Sequence, residues 1–263
     1  MSNVAIDYNN FYNNNKNAVI YDFTTRKPMN KNNDDSNGKH DNKAGKSSEV
    51  FAFRTDEEIK AMIDVYNKHI ENVETEYQRM IACRNKMMFI VGINVGLRAS
   101  DLRTLTWDFF FTKAIDGSLQ FRDSYNLCPK KTRKTKKYVK LRFNDTVKKI
   151  INWYIAIYPI DDIKEYVFKS RKGDDAVSVH SMCRIIKEAA KEAGIKQNIG
   201  SHSLRRTFCR RVYDNANDKG QALLVLQKIL NHSSQAVTLN YIGIMNEEID
   251  DVFDNTNIGI DWI

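Results

Sequence analysis

The chain has 263 residues and a formal net charge of +8 at pH 7. This length allows one large domain or two small ones, with enough residues for a packed core. The positive charge suits an anionic partner, which at this level is either a nucleic acid or an anionic membrane surface. No apolar stretch approaches the roughly 20 residues needed to cross a bilayer, and no export signal opens the chain. We therefore expect a cytoplasmic protein that does not enter a membrane.

The cysteines are widely spaced and include no CxxC pair. They are Cys83, Cys128, Cys183 and Cys209. A zinc site usually takes paired ligands a few residues apart, so we expect reduced thiols. The working hypothesis is chemistry without a metal or any other cofactor.

Residues 1–50 are rich in Asn, Lys, Asp and Ser and lack periodic apolar positions. Such a segment cannot bury enough apolar surface to offset the entropy lost on ordering. It predicts a largely disordered polar arm, with a short strand or docking segment at residues 19–23.

A helical pattern begins after the arm. Thr55 and Glu58 have the spacing of a capping box, and apolar residues then recur every three to four positions as far as Met80. The pattern predicts an amphipathic helix over this segment.

The next segment, residues 84–95, is more uniformly apolar and predicts a central buried helix. Gly96 follows it, as is typical of a glycine beyond a helix C-terminus. Ser100 is in position to cap a further short helix that runs through Trp107.

The hydrophobic period changes in the middle of the chain. Residues 109–115 and 118–122 flank Asp116-Gly117 and predict a hairpin with a two-residue primed turn. A second hairpin, with a basic tip, is predicted from residues 126–131 and 137–142.

Helices resume after the hairpins, and we find no internal repeat. They are predicted at residues 145–157, 178–193, 204–214, 220–230 and 235–242. The predicted fold is mainly α with a small antiparallel β-sheet, an α+β class.

Arg98 follows the predicted buried helix in the run Gly96-Leu-Arg98-Ala-Ser-Asp101. An isolated arginine at such a position usually pairs with a neighbouring acid, here Asp101, and caps the helix end. The functional alternative is a bidentate phosphate ligand, with Asp101 orienting it or a neighbouring histidine.

The second hairpin carries eight basic residues and no acid between Pro129 and Arg142. A solvated positive face would explain most of them, but such a hairpin also suits contact with a nucleic-acid backbone. One lysine at the strand end can protonate a leaving 5′ hydroxyl; Lys131 is our candidate and Lys134 the alternative. The DNA-contacting residues predicted here are Lys130, Arg133, Lys134, Lys136 and Lys137.

His202 and Arg205 lie one turn apart at the start of a helix, in Ser201-His202-Ser-Leu-Arg205-Arg206. The spacing aims both side chains at one point, and helix N-terminal amides favour an anion there. The structural alternative is a helix cap with an arginine bound to a backbone phosphate. We predict that Arg206 contacts the DNA backbone, or alternatively an acidic partner, without a catalytic role.

His232 stands at a predicted helix end, and Tyr241 lies late on the next helix. Alone, the histidine would be a capping residue and the tyrosine a packing residue. Combined with His202 and the two arginines, they form a set able to bind and attack a phosphodiester. A phenol, with a reference pKa of about 10, is a poor nucleophile at neutral pH. Clustered guanidinium groups offset this by stabilising the phenolate and the charge on phosphorus.

Three motifs together, GLRASDLRTLTW, HSLRRTF and LNHSSQAVTLNY, resemble the catalytic domain of the tyrosine recombinases, the integrases of phages and conjugative elements. The resemblance extends from about Thr55 to Ile244. It implies that Arg98 and Arg205 clamp the scissile phosphate and that Tyr241 attacks it.

The resemblance implies further roles. Lys131 would be the general acid on the leaving oxygen. His202 would assist proton transfer with the tyrosine, and His232 would hydrogen-bond the transition state. Asp101 matches the family's supporting acid. The product would be a 3′-phosphotyrosyl enzyme with a free 5′ hydroxyl, and that ester keeps the bond energy for rejoining without ATP or metal.

The sequence departs from the family pattern in two ways. Asn231 replaces the usual glycine before the second histidine, and Asn can also adopt the left-handed backbone conformation. Only the polar arm precedes residue 55, where the family carries a helical core-binding domain. A minimal recombinase, a truncated relic and an enzyme that clamps DNA weakly are the alternatives.

We therefore divide the chain into the arm 1–50, a catalytic domain 51–244 and an acidic tail 245–263. The tail either packs on its own domain or docks on a neighbouring subunit. The expected function is site-specific recombination or integration by a mobile-element enzyme, acting in the bacterial nucleoid as a tetramer on double-stranded DNA with paired recombination sites. The alternatives are a type IB topoisomerase that relaxes DNA as a monomer and a DNA-binding relative that has lost catalysis.

Overall fold

The computed structural model describes residues 49–130, 138–243 and 255–256. Predictions for residues 1–48, for the hairpin tip at 131–137 and for most of the tail lie outside these residues. Within them the protein is mainly helical and contains two antiparallel sheets of two strands each. The predicted fold class is confirmed, with two small sheets in place of one.

The helices are numbered here in chain order. They are α1 (Asp56–Glu71), α2 (Glu76–Val95), α3 (Ala99–Leu102), α4 (Asp145–Ile157), α5 (Val179–Glu192), α6 (Ser201–Asp214), α7 (Lys219–Leu230) and α8 (Gln235–Ile242). A 3-10 turn at Trp107–Phe109 precedes the strands. These are β1 (Phe111–Lys113), β2 (Leu119–Phe121), β3 (Ser124–Leu127) and β4 (Val139–Arg142).

The predicted division between the first two helices is wrong. The Thr55 hydroxyl does cap α1 by accepting from the backbone N of Glu58 at 3.2 Å, but α1 ends at Glu71 and α2 already begins at Glu76. Thr75 and Gln78 form a complete capping box at the start of α2. These side chains satisfy the backbone groups of a new first turn, so the helix restarts although the apolar spacing continues.

The central buried helix is confirmed as the last part of α2, which packs against α1, α4 and α6. Gly96 ends it with a φ of 62°, in the left-handed region. The prediction for Ser100 is wrong, because Arg98 precedes the first residue of α3 and its carbonyl accepts from the backbone N of Asp101 at 2.9 Å. This helix stops at Leu102, since Thr106 pairs with Tyr166 in an extended bridge.

The first hairpin has a longer turn than predicted. The backbone N of Ala114 donates to the Ser118 carbonyl at 2.8 Å, and that of Gly117 donates to the Ala114 carbonyl at 3.0 Å. The loop therefore has three residues. A two-residue primed turn of the Asp-Gly type requires positive φ at both central residues. Gly117 has a φ of 84°, but Asp116 does not have a positive φ, because Asn231 is the one non-glycine residue with positive φ in the described part of the chain. The two-residue primed turn is therefore ruled out.

Two apolar clusters hold the described residues together. The larger one surrounds α2 and includes the buried phenylalanines of the 3-10 turn and β1. The smaller one, formed by Cys209, Leu226, Leu230 and Ile242, joins α6, α7 and α8, and the ring of Tyr241 packs against it. The second cluster thus fixes the position of the three C-terminal helices that carry the candidate site.

Gly96 gives a test of the turn that leads from α2 to Arg98. A Cβ at this position would lie 2.2 Å from Cδ1 of Phe208, in addition to the left-handed backbone. We expect Gly96→Ala to lower the free energy of unfolding by roughly 2–4 kcal/mol, from backbone strain and overpacking combined. Chemical denaturation measures this change.

Gly194→Ala is the matched control, because Gly194 also follows a helix with a φ of 74° but a Cβ there would meet nothing within 4 Å. We expect it to cost only the backbone part, about 1 kcal/mol. Equal losses in the two variants would contradict the role given to Phe208.

Candidate active site

Arg205 is buried in the first turns of α6, with 5% of its surface exposed. Its Nη1 donates to the carbonyl oxygen of Gly96 at 2.7 Å, and its Nη2 lies 3.4 Å from the carbonyl oxygen of Leu230. One guanidinium therefore connects α6 to the end of α2 and to the end of α7. Since a guanidinium has five N–H donors, this arrangement leaves further donors for an anion.

Arg98 reaches the same carbonyl from a different part of the chain. It stands immediately before α3, and its Nη2 donates to the Leu230 oxygen at 3.1 Å. The carbonyls at a helix C-terminus carry partial negative charge and attract cations. The last residue of α7 thus brings the two predicted phosphate-binding arginines together.

Tyr241 lies near the end of α8 and is half-buried. Its ring centroid is 5.3 Å from that of His232, in an edge-to-face arrangement, and 5.1 Å from Cζ of Arg206. Burial raises the pKa of the Tyr241 phenol, while the charge of Arg205 acts in the opposite direction. The hydroxyl is therefore protonated at neutral pH, beside a guanidinium that can stabilise the phenolate.

His232 is placed by a left-handed turn. Asn231 ends α7 with φ 54° and ψ 49°, as predicted for the residue that replaces a glycine. Nδ1 of His232 lies 3.2 Å from Oγ1 of the fully buried Thr238, whose hydroxyl donates to the Ser234 carbonyl at 3.2 Å. This contact fixes the orientation of the His232 imidazole, whose ring lies against that of Tyr241.

His202 lies in the first turn of α6 and is exposed overall. Its pKa is lowered, first by partial desolvation of the ring and then by the positive charges of Arg205, Arg206 and Arg98. Solvent screens these charges because the residue is exposed, but the desolvation and the three positive charges all act in the same direction. His202 is thus neutral at pH 7 and able to accept a proton.

The structural alternative for Arg98, an ion pair with Asp101, is wrong. The buried carboxylate of Asp101 accepts from the backbone N of Lys130 at 3.0 Å. It therefore fixes the entry to the basic hairpin, directly before Lys131. Lys130 itself is exposed, and the predicted contacts Lys131, Arg133, Lys134, Lys136 and Lys137 lie outside the described residues.

The family model described as the phage integrase family matches residues 53–248. The chain belongs to the phage integrase family. The expected kinship with tyrosine recombinases is thereby confirmed.

The chain spans different shares of the length of its curated relatives. It is 35% identical over 163 residues to a probable integrase/recombinase of Bacillus subtilis strain 168, YoeC, which covers 61% of this chain and 78% of that protein. Over 209 residues it is 23% identical to the tyrosine recombinase XerA of Pyrococcus furiosus, covering 78% of this chain but 61% of XerA.

Solved structures agree on the fold. A crystal structure of a XerA recombinase aligns with a TM-score of 0.54 at 19% identity, covering 80% of this chain and 65% of that one. The XerH site-specific recombinase bound to palindromic difH substrate aligns with a TM-score of 0.55 at 16% identity, covering 78% of this chain and 53% of XerH. At these identities the likeness concerns the fold.

The site contains features that sequence reasoning missed. The Gly96 and Leu230 carbonyls are backbone atoms and leave no signature in residue types. Thr238 lies between His232 and Tyr241 in the third motif, and its position one turn before Tyr241 on the predicted helix could have indicated a contact with the histidine. Glu49, inside the predicted arm, contacts Arg206, and no local pattern marked it.

Other kinds of site are not indicated in the part of the chain that the structure describes. Residues 49–130, 138–243 and 255–256 contain no cluster of three His, Cys, Asp or Glu side chains suited to a metal ion. The four cysteines are free. None of the helices in these ranges has the length and apolar character needed to span a bilayer.

The lowered pKa of His202 has a consequence for stability. In the unfolded chain the imidazole titrates near its reference pKa of about 6.5, so as pH falls through this value the unfolded state takes up protons before the folded state does. The free energy of unfolding therefore decreases as pH falls below about 6.5. We expect His202→Gln to reduce this acid destabilisation.

Urea denaturation of the wild type and His202→Gln at pH 7.5 and pH 5.5 checks this. His180→Gln, at an exposed histidine on α5, is the control and should leave the difference between the two pH values unchanged. If His202→Gln shows the wild-type difference, the site does not depress that pKa.

Proposed function

We propose that this chain is a site-specific recombinase that cleaves and rejoins DNA through a covalent 3′-phosphotyrosyl intermediate, with Tyr241 as the nucleophile. The observation that carries the proposal is the convergence of Arg98 and Arg205 on the Leu230 carbonyl, next to Tyr241. Membership of the phage integrase family supports the same activity.

The reaction begins with binding of the scissile phosphate. Arg98 and Arg205 contact its non-bridging oxygens, and the hydroxyl oxygen of Tyr241 attacks phosphorus. The neutral His202 accepts the phenolic proton, and His232 donates a hydrogen bond to the developing negative charge.

Bond cleavage then releases the 5′ oxygen, which takes a proton from Lys131 and leaves as a hydroxyl. The new phosphotyrosyl ester replaces one phosphoester bond with another of similar energy. A 5′ hydroxyl from a second strand can therefore attack it and restore the DNA backbone without ATP. Charge stabilisation in this scheme comes from the guanidinium groups.

The proposed substrate is double-stranded DNA carrying paired recombination sites, on which four copies of the chain assemble. The net charge of +8 supports a polyanionic partner. The XerH structure with a similar fold is a complex with a palindromic difH substrate, which supports recognition of paired half-sites. Lys130 and the basic residues of the hairpin tip would contact the phosphate backbone.

A nicked suicide duplex tests the activity directly, because loss of the short fragment beyond the nick traps the covalent adduct. We expect the wild type to form a DNA adduct resistant to denaturation. Tyr241→Phe should bind the same duplex with similar affinity yet form no adduct, since the phenylalanine ring retains the packing but has no oxygen.

Tyr166→Phe, at another half-buried tyrosine, is the matched control and should cleave like the wild type. Adduct formation by Tyr241→Phe would reject this nucleophile. Salt-sensitive binding without any wild-type adduct would indicate an inactive DNA-binding relative. Plasmid relaxation without strand exchange between paired sites would indicate a topoisomerase.

The Thr238 hydroxyl offers a separate test of how His232 acts. Thr238→Val keeps the side-chain shape but removes the hydrogen-bond partner of His232 Nδ1, so the imidazole loses a contact that orients it. We expect adduct formation to slow by roughly tenfold at saturating DNA, as for loss of one hydrogen bond of about 1 kcal/mol or more. Thr238→Ser retains the hydroxyl and should recover most of the rate. Equal rates in Thr238→Val and the wild type would rule out this orienting role.

A further inference from the structure

Arg206 lies between a carboxylate and the candidate nucleophile. Its Nη1 and Nη2 each donate to Oε1 of Glu49 at 3.0 Å, and its Cζ is 5.1 Å from the ring centroid of Tyr241. The Arg206 side chain is only 14% exposed. The guanidinium is therefore held on one side by a carboxylate and in contact with the tyrosine ring on the other.

The segment that carries Glu49 is itself fixed to the domain. The Glu49 carbonyl accepts from Nδ2 of Asn198 at 2.7 Å, and the backbone N of Phe51 donates to the Asn198 carbonyl at 2.9 Å. Further along, the backbone N of Phe53 donates to Oγ1 of Thr207 at 2.8 Å, and the Phe53 ring is fully buried. These contacts set the place of the Glu49 carboxylate relative to α6.

We propose that Arg206 is a positioning residue for Tyr241 and that Glu49 holds Arg206 in that position. The proposal rests on the proposed function, because it concerns the nucleophile of that reaction. A guanidinium within about 6 Å of an aromatic ring is attracted to the ring's electrons and limits its movement. In-line attack requires a fixed direction of the phenolic oxygen.

Stability alone does not account for this arrangement. Ion pairs with one exposed partner contribute little to the free energy of unfolding, and the Glu49 side chain is 46% exposed. The contact between Arg206 and the ring, in contrast, is made to the residue on which the reaction depends. The other charged or titratable groups next to this side chain in the described residues are Arg205 and Cys209 on α6 and the ring of His232.

The chain provides a matched ion pair for comparison. Arg211 on α6 pairs with Asp56, at 2.8 Å between Nη2 and Oδ1. Like the Glu49 pair, it connects the segment before or at the start of α1 to α6, but Tyr241 has no ring contact with Arg211 in the described structure. Asp56 is more exposed than Glu49, at 87% against 46%, so Asp56→Asn controls for the loss of an ion pair to α6 without affecting the proposed nucleophile.

The first experiment is single-turnover adduct formation on the suicide duplex, at saturating DNA so that binding does not limit the rate. We expect Arg206→Gln to slow cleavage by roughly tenfold and Glu49→Gln by a similar or smaller factor. The double variant should be no slower than Arg206→Gln alone, because Glu49 acts through the arginine. Glu49→Asp should recover part of the rate, and Asp56→Asn should match the wild type.

The second experiment needs neither DNA nor activity. Tyrosine-labelled protein gives a Tyr241 ring resonance in an NMR spectrum, assigned by its loss in Tyr241→Phe. Glu49→Gln should move this resonance in the same direction as Arg206→Gln, with no further movement in the double variant. Asp56→Asn should leave it in the wild-type position.

The outcomes separate the two proposals. If the wild type forms no adduct, the proposed function fails, and the NMR series alone decides whether Glu49 acts on the ring through Arg206. If the wild type cleaves DNA but Glu49→Gln cleaves equally fast, only the positioning role fails. Additive effects of Glu49→Gln and Arg206→Gln, or a loss in Asp56→Asn as large as that in Glu49→Gln, would also reject it.

Discussion

The candidate site depends on the way two buried or half-buried guanidinium groups are held by backbone carbonyls. Burying a charge is costly unless it is paired and hydrogen-bonded. In the described residues Arg98 and Arg205 bond to carbonyls of Gly96 and Leu230 and form no ion pair with a carboxylate. A carboxylate would orient the arginines but compete with a phosphate for them. A carbonyl at a helix end orients them and leaves the positive charge available for a phosphate.

Because backbone carbonyls hold the arginines, the candidate catalytic residues were predictable from the sequence, whereas the groups that hold them in place were not. Two arginines, two histidines and a tyrosine are side-chain types with known affinities, so their order and spacing are informative. The atoms that hold them belong largely to the backbone. Any residue at position 230 would present the same carbonyl, provided that α7 ends there. That ending depends on the left-handed Asn231, which the motif comparison did identify.

The same distinction applies to the fold. The last three helices follow from apolar periodicity, and α8 begins and ends where predicted. The turn of the first hairpin and the break between α1 and α2 were missed because single hydrogen bonds decide them: a three-residue loop ending in Gly117 and the capping box of Thr75. The free energies of alternative caps or turns differ by about 1 kcal/mol. The spacing of apolar residues does not reveal differences of this size.

Arg206 differs from its neighbour Arg205 in the way its charge is treated, although the two are adjacent on α6. Arg205 is bonded to carbonyls and keeps its full charge, as a phosphate ligand requires. Arg206 donates to the Glu49 carboxylate, which orients it, and its positive charge still acts on His202 and Tyr241. Arg206 thus contacts the ring of the proposed nucleophile, while Arg98 and Arg205 are the proposed ligands of the phosphate. The proposed roles of the two adjacent arginines therefore differ because Arg205 bonds to backbone carbonyls and Arg206 to a carboxylate.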